Sequence, residues 1–127
     1  MTTFYLYLNS FIYLIFSAWC LFKPKDTAEF SGFTFLNNSG KVEYLAVYGG
    51  MELGFCVFFG LCALLPNLRF AGLVFGVCMY VGLILVRTIS AVIYGNLQKG
   101  TYIIGGLELL LGIWGIVLLL NEMKRTS

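Results

Sequence analysis

Three ionisable residues stand alone inside long apolar runs of this chain: Glu52, Arg87 and Glu108. One guanidinium and two carboxylates can form an ion pair, hand over a proton or hold a charged ligand, provided they meet. Inside a bilayer each isolated charge costs several kcal/mol unless it is paired or wetted. If all three ionise, the cluster carries one net negative charge, which a low dielectric disfavours. A proton on one carboxylate, or a bound cation or amine, restores the balance. Tyr13, Ser17, Tyr48 and Tyr80 are expected to offer hydroxyls to the oxygens that Arg87 leaves free, Tyr48 lying one turn from Glu52.

The composition places these charges in a membrane. Of 127 residues, 60% are hydrophobic and only 11% are charged; a soluble domain carries about 25% charged residues. The mean hydropathy is +0.90. No room remains for a separate soluble domain. A net charge of +2 argues against a nucleic-acid partner. Histidine is absent, which removes the commonest metal ligand and general base. Cys20, Cys56, Cys62 and Cys78 form no C-x-x-C pair, so neither a metal site nor a structural disulfide is expected, and no cofactor motif is present. The first apolar stretch lacks a preceding Lys or Arg and a following A-x-A-like site, so it is expected to be retained rather than cleaved.

A helix needs roughly 20 apolar residues to cross the hydrocarbon. Four segments qualify: about Phe4–Phe22, Glu43–Leu65, Leu68–Tyr94 and Thr101–Leu120. Pro66-Asn67 and Gly95–Gly100 are short connections, which imply antiparallel neighbours. The expected fold is all-α, an integral-membrane antiparallel four-helix bundle forming one domain, with a long first connecting loop at Lys23–Val42. Pro24 reads as a helix stop. Asp26 and Glu29 have capping-box spacing. Phe30, Phe33, Phe35 and Leu36 among lysines and acids suit a segment on the membrane surface, and Asn37-Asn38-Ser39-Gly40 reads as a turn. Arg69, Lys124 and Arg125 on the side of the termini oppose Lys23, Lys25, Lys41 and Lys99, the latter offset by Asp26 and Glu29. Lys124 and Arg125 follow the last helix closely, which favours termini on the cytoplasmic side of the membrane.

Helical wheels assign faces at 100° per residue. Thr101, Gly105, Glu108, Gly112 and Gly115 share one face of the last helix. Gly72, Gly76, Tyr80, Arg87, Ser90 and Tyr94 share a face of the third. Ala46, Gly49, Gly50, Gly54 and Gly60 form a small-residue side of the second, with Glu52 at its flank and Met51, Phe55, Phe58 and Leu65 opposite. Tyr5, Asn9, Tyr13, Ser17 and Cys20 form a stripe on the first. Small residues let membrane helices approach, so Ala46, Gly49, Gly50, Gly54, Gly72, Gly76, Gly105 and Gly112 are expected at helix contacts. Counting from the loops puts Tyr13, Glu52, Arg87 and Glu108 roughly 12–14 Å below one surface, on the side of the long loop.

Four functions fit such a layer. It is a structural lock, in which buried charges fix register without adding stability. It is a pocket for a lipid, a small amphiphile or a partner helix. It is a proton-carrying site of an oligomeric small-molecule transporter, since four helices would have to dimerise to form a path. Or it belongs to a membrane redox-enzyme subunit, although no nucleophile–base pair is readable and the cysteines lack a redox spacing. The pocket reading leads to a non-enzymatic envelope protein without a cofactor, whose partners are membrane lipids, another membrane protein or further copies of itself.

The stretch Glu43-x4-Tyr48-Gly49-Gly50-x-x-Leu53-Gly54 resembles the signature of small bacterial membrane proteins grouped as domain of unknown function 4345. Arg87 followed by Gly95, Glu108 in the last helix, and Gly32-Phe33 in a Pro-containing first loop extend the resemblance over nearly the whole chain. It implies four inner-membrane helices and a distant similarity to DoxX-like proteins, some linked to redox processes and others to assembly of envelope or receptor components. It carries no settled activity. The chain is richer in phenylalanine, tyrosine and cysteine than that family pattern leads one to expect.

Overall fold

A computed structural model describes residues 1–127, and every regular element in it is helical. The elements are α1 (Thr2–Phe22), α2 (Pro24–Ser31), α3 (Asn38–Leu45), a π-helical turn (Ala46–Met51), α4 (Glu52–Leu64), a short 3₁₀ turn (Pro66–Leu68), α5 (Arg69–Tyr94) and α6 (Lys99–Thr126). Four helical stretches are long and apolar enough to cross a membrane: Thr2–Phe22, Asn38–Leu64, Pro66–Tyr94 and Lys99–Thr126. Only 22 of the 127 residues are buried, and large apolar side chains cover much of the outside. Such a coat would aggregate in water but suits contact with lipid. The chain is a multi-pass membrane protein.

Local chemistry explains the boundaries. Lys23 leaves the helical region, at φ −134 and ψ 64, because the following proline disfavours helix there. Pro24 ends α1, yet it also starts α2 at a first-turn position where its missing N–H is no loss. The capping box at Asp26 and Glu29 is not formed. The N-cap of α2 is Lys23, and Asp26 lies inside the first turn, where its charge favours the helix dipole. Gly32, left-handed at φ 84, closes α2 by donating its N–H to Ala28 and Glu29 carbonyls.

Asn37-Asn38-Ser39-Gly40 is likewise a helix start rather than a turn. The Asn37 side chain accepts the Gly40 N–H at 2.9 Å and caps α3. The second crossing therefore begins at Asn38, five residues before the expected Glu43, and the first connection shrinks to a short helix and a brief link. Leu65 is extended before Pro66, which ends α4.

α1 packs most extensively on α4, and α5 on α6. The expected stripe of α1 is buried at every position: Tyr5, Asn9, Tyr13, Ser17 and Cys20. Gly72 brings α5 against α4; a Cβ there would lie 2.6 Å from Cys62 Cβ. Gly112 of α6 faces Ile84 and Tyr80, Gly76 faces Phe59, and Gly49 lies against Leu21 of α1.

Ala46, Gly50 and Gly54 do not pack within the bundle. All three are exposed, and nothing lies within 4 Å of a Cβ built on Gly54. The buried residues of α4 are Phe59, Cys62 and Ala63, and of the expected bulky side Met51, Phe58 and Leu65 are exposed as well. Lipid is as apolar as leucine, so hydrophobicity does not mark which face of such a helix turns inward. Two substitutions separate these positions. Gly72→Ala is expected to lose about 1–3 kcal/mol through overpacking, whereas Gly54→Ala is expected to leave stability unchanged or slightly raised, because alanine is the better helix former. Thermal melts of both variants in detergent check this; a destabilised Gly54→Ala would mean that another molecule covers that face.

Candidate functional site

Arg87 lies about two turns before the end of α5, and Glu108 lies in the N-terminal half of α6 facing it. Gly105 makes the approach possible: a Cβ there would sit 3.1 Å from Arg87 Cδ, so the arginine stem crosses α6 directly over bare backbone. The two charges form a fork. Arg87 Nε donates to Glu108 Oε2 at 2.9 Å, and Nη2 donates to Oε1 at 2.9 Å. The Arg87 side chain is 32% exposed and that of Glu108 13%. Both carboxylate oxygens are engaged, so the pair is electrically closed on itself.

Glu52 is brought to the same layer but does not join the pair. It follows the π-helical turn and shares an inward stripe with Phe55 and Phe59, yet it makes no hydrogen bond and no ion pair. The three-way meeting is thus one pair and one separate carboxylate. The reason lies in the helix packing. α4 leans on α1 along its length, and it meets α5 through residues of its Pro66 end and middle, where Cys62 faces Gly72 and Phe55 meets Phe75. Towards the other end the two helices diverge.

A cavity of about 420 Å³ fills the divergence, with Glu52, Arg87 and Glu108 all in its wall. It lies between two packed cores. One contains Tyr5, Phe59, Leu73 and Leu118, and the smaller one contains Cys20, Ala28 and Tyr44. α2 and the link after it form the roof through Thr27, Phe30, Ser31 and Phe33. The roof is held on α6 at Gly100, which touches the Phe30 carbonyl so closely that no Cβ fits between them. Trp19 of α1 packs edge-on against Phe30, with ring centroids 5.4 Å apart. Val47, Met51 and Leu83 line the cavity and are also exposed on the outer surface. The cavity therefore reaches the lipid-facing side between α4 and α5.

The hydroxyls expected around the cluster are distributed differently. Ser17 Oγ donates to the Gly49 carbonyl at 2.7 Å and is not part of the cavity wall. Tyr80 presents its ring to the cavity, but its hydroxyl donates to Asn9 Oδ1. Asn9 in turn donates from Nδ2 to the Tyr5 carbonyl at 2.8 Å, and the Tyr5 hydroxyl donates to the Leu111 carbonyl at 3.0 Å. This buried chain ties α1 to α5 and α6 and leaves no hydroxyl for the carboxylates. Tyr13 lines the cavity with its hydroxyl 3.8 Å from Met79 Sδ. Tyr48 also lines it, stacked on Tyr44 at 4.6 Å and tilted against Phe33 at 5.5 Å. The hydroxyl of Tyr48 has no partner within the chain.

Sequence reasoning missed Asn9 as a network hub, although its place four residues after Tyr5 on the α1 stripe was the available signal. The connecting segment Lys23–Val42 was expected to roof this layer, but sequence reasoning missed that Trp19 and Tyr44 would join its Phe30 and Phe33 there.

A family model described as Domain of unknown function (DUF4345) matches residues 1–119. The chain belongs to this family. The match runs from α1 well into α6 and so includes every residue of the cavity wall. In this DUF4345 protein the Tyr48-Gly49-Gly50 stretch is the π-helical turn that precedes Glu52. Such turns are uncommon and are often found at functional sites. No curated protein and no solved structure matches the chain.

Proposed function

We propose that this DUF4345 protein is a non-enzymatic envelope protein of a bacterial inner membrane, with cytoplasmic termini. It holds a small amphiphile, or the head group of a lipid, in the cavity beneath α2. The observation that carries this reading is the cavity itself: about 420 Å³, walled mainly by apolar and aromatic side chains, with three charged groups at one level. Pockets for small molecules run about 300–1,000 Å³ and combine an apolar lining with few polar groups in the same way. A partner helix, about 10 Å across, needs a long groove and fits this volume poorly. The exposed wall at Val47, Met51 and Leu83 supplies a way in from the bilayer for a ligand that carries an apolar chain.

Proton-coupled transport has less support. A transporter needs a path to both sides, and below this cavity the packed core around Tyr5, Phe59 and Leu73 fills the other half of the bundle. A second copy would have to open that core or bypass it.

Native mass spectrometry of protein released from gently purified membranes tests the proposal. The wild type is expected to carry a bound amphiphile, and Arg87→Ala, which leaves Glu108 unpaired in the wall, is expected to alter which species is carried or how much of it. The same bound species on both, or a bare wild-type chain, would count against a pocket centred on this layer.

A further inference from the structure

The chemical class of the ligand follows from how the charges in the cavity are divided, given the pocket reading above. Arg87 is the only basic residue in the wall, and Glu108 engages it through both oxygens. That pair presents little net charge to a ligand. Glu52 is left with no partner from the protein, although it lies in the same wall. A carboxylate in a mostly apolar wall within a membrane is costly without a compensating charge, and a bound cation removes that cost, as a proton would. An anionic head group would instead have to break the Arg87–Glu108 fork and sit near two carboxylates.

The rest of the wall points the same way. Nine of its 23 residues are aromatic, among them Tyr48 and Phe55 on the Glu52 helix and Trp19, Phe30 and Phe33 above them. Aromatic faces carry negative potential, and a cation over one is attracted, more strongly the drier the site. Phe33, Tyr44 and Tyr48 are already assembled, with centroids 4.6–5.5 Å apart. No ammonium or guanidinium of the chain occupies the space they face, since Arg87 is turned to α6. An alkyl chain leaving this space meets Met51, Val47 and Leu83, which open toward lipid.

We infer that the cavity is a site for a monocationic amphiphile, an alkylammonium whose charged nitrogen pairs with Glu52 among the roof aromatics and whose chain exits between α4 and α5. Glu52 is the specificity-determining residue, and the Arg87–Glu108 pair is the wall that turns anions away.

Isothermal titration calorimetry on the full chain in an uncharged maltoside detergent tests this with three ligands of equal chain length: decyltrimethylammonium, decanol and decanoate. The quaternary ammonium cannot lose its charge, so protonation of the ligand plays no part. The wild type is expected to bind decyltrimethylammonium most tightly. The quaternary ammonium has no N–H to donate, so its pairing with Glu52 is Coulombic in a wall of low polarity, and Glu52→Gln is expected to weaken that ligand about tenfold or more, which is about 1.4 kcal/mol per tenfold. Its decanol affinity should stay the same, which also shows that the variant is folded. Glu52→Asp should recover part of the loss, and Glu122→Gln, far from the cavity, should bind as wild type.

Equal ammonium affinity in wild type and Glu52→Gln would overturn the inference, as would tighter binding of decanoate than of the ammonium. In either case binding of decanol or decanoate would leave the amphiphile pocket standing. No binding of any of the three would remove both.

Discussion

Replacing Arg87 alone by leucine is expected to destabilise the bundle by about 3 kcal/mol, the lower end of the range for breaking a buried ion pair. The lower end applies because the Arg87 side chain retains 32% exposure and some of the charge is already solvated. The loss comes mainly from what is left behind. Glu108 is only 13% exposed and has no second partner to satisfy its two oxygens. Replacing both residues, as Arg87→Leu with Glu108→Leu, is expected to restore most of the stability, since apolar side chains of similar volume often substitute for a buried pair without loss. Unfolding in graded detergent mixtures, followed by circular dichroism, measures both variants.

The same pair of variants distinguishes a lock from a wall. If the charges serve packing alone, the double variant should be stable and keep the ligand preference of the wild type. If they also turn anions away, it should be stable and still prefer decyltrimethylammonium through Glu52, but by a smaller margin over decanoate than the wild type. A double variant as unstable as Arg87→Leu would show that the pair contributes net stability.

The second large effect is expected at the roof. Gly100 meets the Phe30 carbonyl, a backbone atom that cannot swing aside as a side chain tip can. Gly100→Ala must therefore lift α2 from α6, and the strain of overpacking, about 1–3 kcal/mol, falls on the roof. The roof opens as a local unit, so this strain raises its open population about tenfold or more. Cys20, 2% exposed and set in the wall under α2, reports that opening. With Cys56, Cys62 and Cys78 replaced by alanine, maleimide is expected to label Cys20 about tenfold faster in Gly100→Ala than in the parent. Gly106→Ala supplies the contrast, because nothing lies within 4 Å of a Cβ at that position and labelling should not change. Equal labelling in all three proteins would mean that α2 is no cover for the cavity.

The four crossings were legible because length and hydropathy alone decide them. The α1 stripe was legible because its polar residues, Asn9 and Ser17, recur with helical period and must be buried in a membrane. Arg87 and Glu108 could be matched because both sit about two turns from a shared loop. Glu52 was harder. A wheel gives direction only relative to a face, and here the glycines at 50 and 54 marked the wrong one: Phe59 packs inside, while Gly50 and Gly54 are exposed. The π-helical turn at Ala46–Met51 has no pattern that separates it from an ordinary helix. At Asn37 the residue types that make turns are the ones that cap helices, and only the contact with the Gly40 N–H decides between them. The roof was visible as an aromatic segment, but its docking over Glu52 depends on one glycine at the start of α6.

Occupancy of the cavity by a chain-bearing cation is read most directly by fluorescence quenching at Trp19. Trp19 is in the cavity wall, while Trp114 packs against Phe4 and Tyr5 elsewhere in the bundle, so Trp114→Phe leaves a single reporter. A decyltrimethylammonium brominated on its chain is expected to quench Trp19 saturably, and excess unbrominated compound should reverse it. Quenching that grows linearly with concentration and ignores the competitor would contradict a site in the cavity.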